Sequence, residues 1–377
     1  MSRASKLSRT HIAAALIAAL LGTGAAGAQS PPTGPIMRGD GPPPKAEEFS
    51  ITKEDPGLDD IVDPNAKLEL LYDGFGLTEG PVWVPEGRSG YWLFGGLLDN
   101  VIYKITPQKQ LSVFMEHAGY SGDDEAHTGT QTRAGRRHVI LIGPSCASRD
   151  SQGRLIWCAD NDRKVMRLEK DGTTRTVLSD GFEGKKYSGP NDIVVRKDDG
   201  VYLTDNDFGL RDAGKSPLKE LQNGVFLIRE GKTVRVLDDK QLGGVPNGIA
   251  LSPDEKWMYL SSTRQLRRYP VKADGSLGEG EKWIEGEGFG DGIKVDVKGN
   301  LFSSSGAGKG RIRIITPGGK TLGWLNMPVF GGEPKRQICA TNNAFGGPDG
   351  KTLFITACDA VYAIQMKTTG LLPGPRH

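Results

Sequence analysis

The sequence predicts an all-β chain folded as a six-bladed β-propeller and closed by a strand from its N-terminal side. Three observations predict it. Glycine makes up 53 of 377 residues, about twice the ordinary share. No long stretch carries a helical apolar period; short strand-like runs recur between Gly, Asp and Asn turns instead. Six segments repeat one plan: a strand, a tight polar turn and a second strand with an aromatic or large apolar residue.

The first unit has 81–84 (PVWV), a turn ending at Gly87, and 91–94 (YWLF). The second turns at 150–153 (DSQG) into 155–158 (LIWC). The third has 192–195 (DIVV), Asp198-Asp199-Gly200 and 201–205. The fourth has 248–251 (GIAL), Pro253-Asp254 and 257–260 (WMYL). The fifth has 292–295 (GIKV), Gly299-Asn300 and Leu301-Phe302. The sixth has 343–345 (NAF), Pro348-Asp349-Gly350 and 352–355 (TLFI). Further strands follow in most units, such as 165–168 and 174–178 about Asp171-Gly172. Four strands repeated in a ring make a propeller, in which stacking buries the faces and leaves short edges. The sixth unit runs out of chain after 360–364, and 68–72 (LELLY) has no unit of its own. The early strand is therefore expected to complete the sixth blade.

Residues 1–28 read as a secretory signal peptide: Arg3, Lys6 and Arg9, an apolar core over 12–21, and Ala26-Gly27-Ala28 as the cleavage box. That core is too short to span a bilayer, and no later segment is long and apolar enough. The mature protein is expected to be secreted or periplasmic. Residues 29–66, with Pro31-Pro32 and Pro42-Pro43-Pro44, read as an unpacked Pro/Gly-rich arm, and 67–377 as the propeller. The full chain has 48 basic and 46 acidic residues. The signal removes three bases and no acid, leaving 45 against 46. A near-neutral chain without a basic stripe argues against nucleic acid and against a polybasic membrane-surface role. No protein partner is evident.

The functional signal is the residue that begins the first strand of each unit: Glu79, Ser145, Asn191, Asn247, Asp291 and Asn342. In a propeller these strands line the axial channel, so their matching ends ring one opening. Side-chain oxygens without His or Cys suit a hard cation. Glu79 and Asp291 with the carboxamides of Asn191 and Asn247 suit one Ca²⁺, with Mg²⁺, Mn²⁺ or Zn²⁺ as alternatives. Asn and Asp also make turns before strands, and the pattern alone leaves both explanations open.

The motifs 78–83 (TEGPVW), 189–195 (GPNDIVV), 246–254 (PNGIALSPD), 290–296 (GDGIKVD) and 345–353 (FGGPDGKTL) resemble those of the SMP-30/gluconolactonase family, in that family's order. The resemblance runs from about Leu68 to the end of the sixth unit and implies a six-bladed propeller. It implies metal ligands at Glu79, Asn247 and Asp291, with Asn191 beside metal and substrate, and makes Asp291 the candidate for activating water.

The implied activity is metal-dependent opening of a lactone, a sugar-acid lactone first. A cation facing the carbonyl oxygen supports the developing oxyanion, and nearby water gives up its proton more readily; Asp291 can accept that proton. Ser145, Asn206 and Asn342 are the further candidates for substrate contact, with Asp207 beside Asn206. Ser145 stands where relatives often carry Asn or Asp. Alternatives are a non-catalytic sugar-acid-binding propeller, a scaffold with a structural metal, and a strictosidine-synthase-like enzyme on the same fold. Residues 116–142 read as a loop over the channel mouth. They carry His117, His127 and His138 with Asp123, Asp124 and Glu125, either solvated or holding a second metal or acid/base role.

Cys146 and Cys158 are equidistant from Gln152, and Cys339 and Cys358 from the turn at 347–349. Each Cys should face its partner across a hairpin, and secretion supplies an oxidising setting. Two intra-blade disulfides are expected, against a reading of four buried thiols.

Overall fold

The computed structural model describes residues 46–122, 129–133, 137–210, 213–262, 265–287, 290–307, 310–329 and 339–375. The signal peptide, the proline runs before residue 45, and His127 with Asp123, Asp124 and Glu125 lie outside the described residues.

The chain is all-β with a propeller-like arrangement of antiparallel sheets. The second unit is a four-stranded sheet of Pro144–Arg149, Leu155–Ala159, Lys164–Leu168 and Arg175–Ser179. The third holds Pro190–Val195, Val201–Asp205, Gly224–Arg229 and Lys232–Leu237. The fourth holds Pro246–Leu251, Trp257–Ser262, Gln265–Pro270 and Glu281–Glu285. The fifth holds Ile293–Val295, Leu301–Ser304, Arg311–Ile315 and Thr321–Asn326.

The first and sixth units share one six-stranded sheet, because the long strand Leu68–Glu86 belongs to both. Its early part pairs with Thr352–Gln365, Leu68 opposite Ile364 and Asp73 opposite Ala360. Its later part pairs with Ser89–Gly96. Each sheet has two apolar faces, and each pair of neighbouring units encloses a cluster between them. Phe94 and Trp92 of the first unit meet Phe354 of the sixth, and the Trp92 and Phe354 rings stack at 4.8 Å. Phe302 of the fifth meets Phe345 edge-on at 4.8 Å. Such packing is worth about 3–5 kcal/mol per large aromatic side chain, judged by truncation to alanine.

Two expectations are corrected. The stretch read as an unpacked arm is packed over its described part. Ser50–Lys53 adds a fifth strand to the fifth sheet, Ser50 opposite Asn326, and Leu58, Ile61 and Val62 are buried in the adjoining core. The outer strand of that sheet offers unpaired backbone groups, and four residues of almost any type can satisfy them. Part of the insertion read as a loop is a hairpin, Gly129–Arg133 against Arg137–Leu141. The backbone of its first strand runs beside the turn Asp207–Gly209.

The C-terminal tail crosses the other end of the axis. Leu371 N–H donates to the Val295 carbonyl at 2.9 Å, Val297 N–H to Thr369 at 3.0 Å, and Gly370 N–H to Gly350 at 2.9 Å. The Arg149 guanidinium donates to the Pro373 carbonyl at 2.5 Å. Leu371, Leu372 and Pro373 thereby close an axial cavity lined by Val82, Ile193 and Ile249.

Candidate active site

The six predicted residues stand at one end of the inner strands, opposite the tail. In four units the ladder shifts register there: between Glu79 and Val82, Pro144 and Cys146, Pro190 and Asp192, and Pro246 and Ile249. A bulge leaves one or more residues unpaired and re-aims their side chains. Ser145, Asn191 and Asn247 are such residues. Proline precedes each, where its missing N–H costs the ladder nothing.

Contacts join neighbouring units all the way round. Gly80, at φ +54°, lies so close to Cys146 that a Cβ there would sit 2.6 Å from its Cα. Ser145 Oγ donates to the Pro190 carbonyl at 2.6 Å. Ile249 N–H donates to Asp192 Oδ2 at 3.3 Å, and Thr204 Oγ1 to the Asn247 carbonyl at 2.8 Å. Ser261 Oγ donates to the Asp291 carbonyl at 2.6 Å. Gly292 N–H donates to the Thr341 carbonyl at 2.9 Å. Asn342 Nδ2 donates to Glu79 Oε2 at 3.1 Å and returns to the first unit.

Within this ring the residues differ in how far the protein has already satisfied them. Glu79 Oε2 accepts from Gly80 N–H at 3.0 Å as well as from Asn342. Burial nevertheless pushes its carboxyl up to about 7. Asn191 Oδ1 is buried and has no hydrogen-bond partner. Asn247 is buried and Asp291 half-buried; Gly306, at φ +67°, leaves 3.0 Å between a would-be Cβ and Asp291 Oδ2.

Three expected substrate contacts are engaged elsewhere. Ser145 is 3% exposed and its proton goes to Pro190. Asn206 is fully buried; its Nδ2 donates to Pro246 at 2.8 Å and its Oδ1 accepts from Phe208 N–H at 3.0 Å, capping a turn. Asn342 is buried behind Glu79, its Oδ1 accepting from Asn343 N–H at 2.9 Å and from Lys294 Nζ at 3.1 Å. Asp207 pairs with Lys219 at 2.6 Å. His117 is exposed at a strand end, where its carbonyl accepts from Arg175.

Asp192 and Lys294 stand outside the set predicted from sequence. Lys294 Nζ lies 3.6 Å from Asp192 Oδ2 and donates to the Ile293 carbonyl at 3.1 Å. Burial raises the Asp192 carboxyl, and Lys294 opposes the rise. A signal existed: across the six units, Asp192 is the one carboxylate directly after a ring residue. Lys294 is the one charge three residues after.

All donors in the ring are oxygens, and the unpartnered Asn191 Oδ1 is an acceptor that a cation can satisfy, so these residues fit a hard metal ion. Among the described residues no three His, Cys, Asp or Glu side chains form a metal-holding group. An ion in this ring would draw on carboxamides beside its two carboxylates.

Both disulfides are present, Cys146–Cys158 and Cys339–Cys358, with Cα separations of 5.1 and 5.7 Å. Cys146 and Cys158 are direct cross-strand partners.

Residues 77–359 match the family described as SMP-30/Gluconolactonase/LRE-like region. The chain belongs to that family. A gluconolactonase of Zymomonas mobilis is 32% identical over 337 residues, 85% of this chain and 87% of that protein. Pentonolactonase XacC of Haloferax volcanii is 23% identical over 286 residues, 74% and 81% of the two chains. The solved structure of a Xanthomonas campestris gluconolactonase superposes with a TM-score of 0.67 at 23% identity, covering 86% of this chain and 98% of that one. For this SMP-30/gluconolactonase member, that last likeness speaks to fold.

Proposed function

We propose that this chain is a metal-dependent lactonase that opens a sugar-acid lactone on a six-bladed propeller, with 68–73 as the closing strand of the sixth blade. Asn191 carries the metal half of the proposal: a buried carboxamide oxygen without a donor costs about 1–3 kcal/mol unless something satisfies it. Likeness to the 32%-identical gluconolactonase supports the reaction. Glu79, Asn191, Asn247 and Asp291 would hold the ion, Ca²⁺ first by ligand chemistry. When bound, it would polarise the lactone carbonyl and make water easier to deprotonate.

The protein's own groups do the rest. Asp291 takes the proton from the attacking water as general base. The N–H of Gly80 and the amide of Asn342 hold Glu79 Oε2, which fixes the orientation of that carboxylate. Lys294 in turn holds Asn342 Oδ1, so the amide can present only its NH₂ to Glu79. The two disulfides support an extracellular or periplasmic site of action, reached through cleavage near Ala28. Among the described residues no helix is long and apolar enough to cross a membrane.

The test is hydrolysis of a panel of aldonolactones and aliphatic lactones at constant pH, with and without chelator. Turnover abolished by chelator and restored by one metal supports the proposal. Stoichiometric metal binding with no turnover on any lactone overturns the enzymatic half and leaves a binding propeller.

A further inference from the structure

The two disulfides sit differently in their ladders. Cys146 and Cys158 face each other inside their ladder, between the pair Ala147–Trp157 and the register shift at Ser145; Cys146 meets the ring through its backbone, which packs on Gly80. Cys339 and Cys358 stand beyond the end of theirs, whose last pair is Asn342 with Thr356. Cys358 sits at φ +57° between the two arms of its hairpin and pairs across to Thr78. Cys339 belongs to a two-residue strand, Cys339–Ala340, paired with Gly306–Ala307. The bridge is buried with Leu77, Leu97 and Leu141 in a small cluster at the mouth.

The segment this bridge anchors touches the flanks of both ring carboxylates. Thr341 is 3% exposed. Its Oγ1 donates to the Thr78 carbonyl at 2.8 Å, and Thr78 precedes Glu79. Its own carbonyl accepts from Gly292 N–H at 2.9 Å, and Gly292 follows Asp291. Asn342 holds Glu79 directly. Gly306, opposite Ala340, lies against the Asp291 carboxylate.

We propose that Cys339–Cys358 and Thr341 are positioning residues that fix the spacing of Glu79 and Asp291, so that cation affinity depends on this bridge and not on the other. The proposal rests on the cation-binding reading of the ring. Residues that orient metal ligands from behind change affinity by about 10–100-fold when removed.

The experiment is calorimetric titration of Ca²⁺ into chelator-stripped full-chain protein, with the melting temperature of each apo form recorded. Cys339→Ser/Cys358→Ser is expected to raise the dissociation constant about 10–100-fold. Cys146→Ser/Cys158→Ser is expected to melt earlier but to keep the wild-type affinity. Thr341→Val keeps both disulfides and nearly the same shape, which secures a result if the first variant does not fold. It is expected to weaken binding about tenfold, with Thr341→Ser restoring it. Unchanged affinity in Thr341→Val or in the Cys339/Cys358 variant overturns the clamp while leaving the cation site standing. Equal weakening in both cystine variants also overturns it, since affinity would then follow global stability. Failure of the wild type to take up calcium sinks site and clamp together.

Discussion

The two ends of the axial channel use the same polar residues for opposite purposes. At the tail end, Asp296 is fully buried and accepts four hydrogen bonds, from Lys298 N–H, Asn300 N–H, Asn300 Nδ2 and Thr368 Oγ1, at 2.7 to 2.9 Å. Asp150, Asp254 and Asp349 likewise accept backbone N–H groups two residues on, each shaping its hairpin turn. At the mouth, satisfaction is incomplete. Asn191 Oδ1 has no donor. Glu79 is raised to about 7, and Asp160, buried beside Asp205, to about 8. Turn chemistry and site chemistry were both open explanations for the Asn and Asp of the ring; the proposed cation site takes the second, and the Asp residues at the tail end show what the first looks like. A carboxylate with all its acceptors filled builds the fold, and one left short of donors is available for ligand chemistry.

Breaking each end separately should give different losses. The largest effect is expected for Asp291→Ala: lactone turnover falls about 10³-fold, while circular dichroism and melting stay close to wild type. An active Asp291→Ala protein would remove the proposed base. Next is Asp296→Ala, which strands two N–H groups in a buried turn and should cost about 2–4 kcal/mol in urea unfolding. Its kcat should be unchanged.

The third prediction concerns pH. The Asp160 carboxyl is raised by burial and by the charge of Asp205, so the folded state holds a proton that the unfolded state releases above about pH 4. The stability associated with this proton is complete below that pH and is lost as pH rises through 8. The slope for one proton is about 1.4 kcal/mol per pH unit. Asp205 and Glu79, also raised to about 7 by burial, add to the same decline, so Asp160→Asn, which cannot ionise, should remove one proton's share of the slope between pH 5 and 8; an unchanged slope would move that share elsewhere. Smallest is Ser145→Ala, which removes one hydrogen bond to Pro190 and should cost about 1 kcal/mol. Its KM should match wild type, and a raised KM would return Ser145 to the substrate pocket.

Much of this was legible in the sequence, for reasons that also mark the limits. The paired strands of each unit show because alternating burial leaves a period-two pattern and the turns demand Gly and Asp. The cystine pairs show because hairpin symmetry puts Cys146 opposite Cys158. Ser50–Lys53 was not legible, since an added edge strand bonds through backbone and leaves no pattern in SITK. The tail over 366–375 was equally hidden: it crosses several sheets through single backbone contacts, without any period. Lys294 and Asp192 were visible as the odd charges in their rows. That they meet depends on the separation of two non-adjacent units across the channel, which no local pattern records.

The long strand Leu68–Glu86 has a kinetic consequence. Thr78 Oγ1 donates to the Cys358 carbonyl, 280 residues away along the chain. During synthesis from the N-terminus, residues 68–73 emerge early and find their partner strand only when nearly everything else has followed. Pairings this distant close slowly, because a large loop entropy is lost before any contact compensates. Until then the segment is an unpaired edge, the kind of surface on which chains associate with one another. Glu69 and Asp73 put charge along it, which discourages such encounters. A circular permutant that starts at Gly74, with the original ends joined so that 68–73 follow 360–364 in the chain, would shorten that wait and should refold faster at similar final stability.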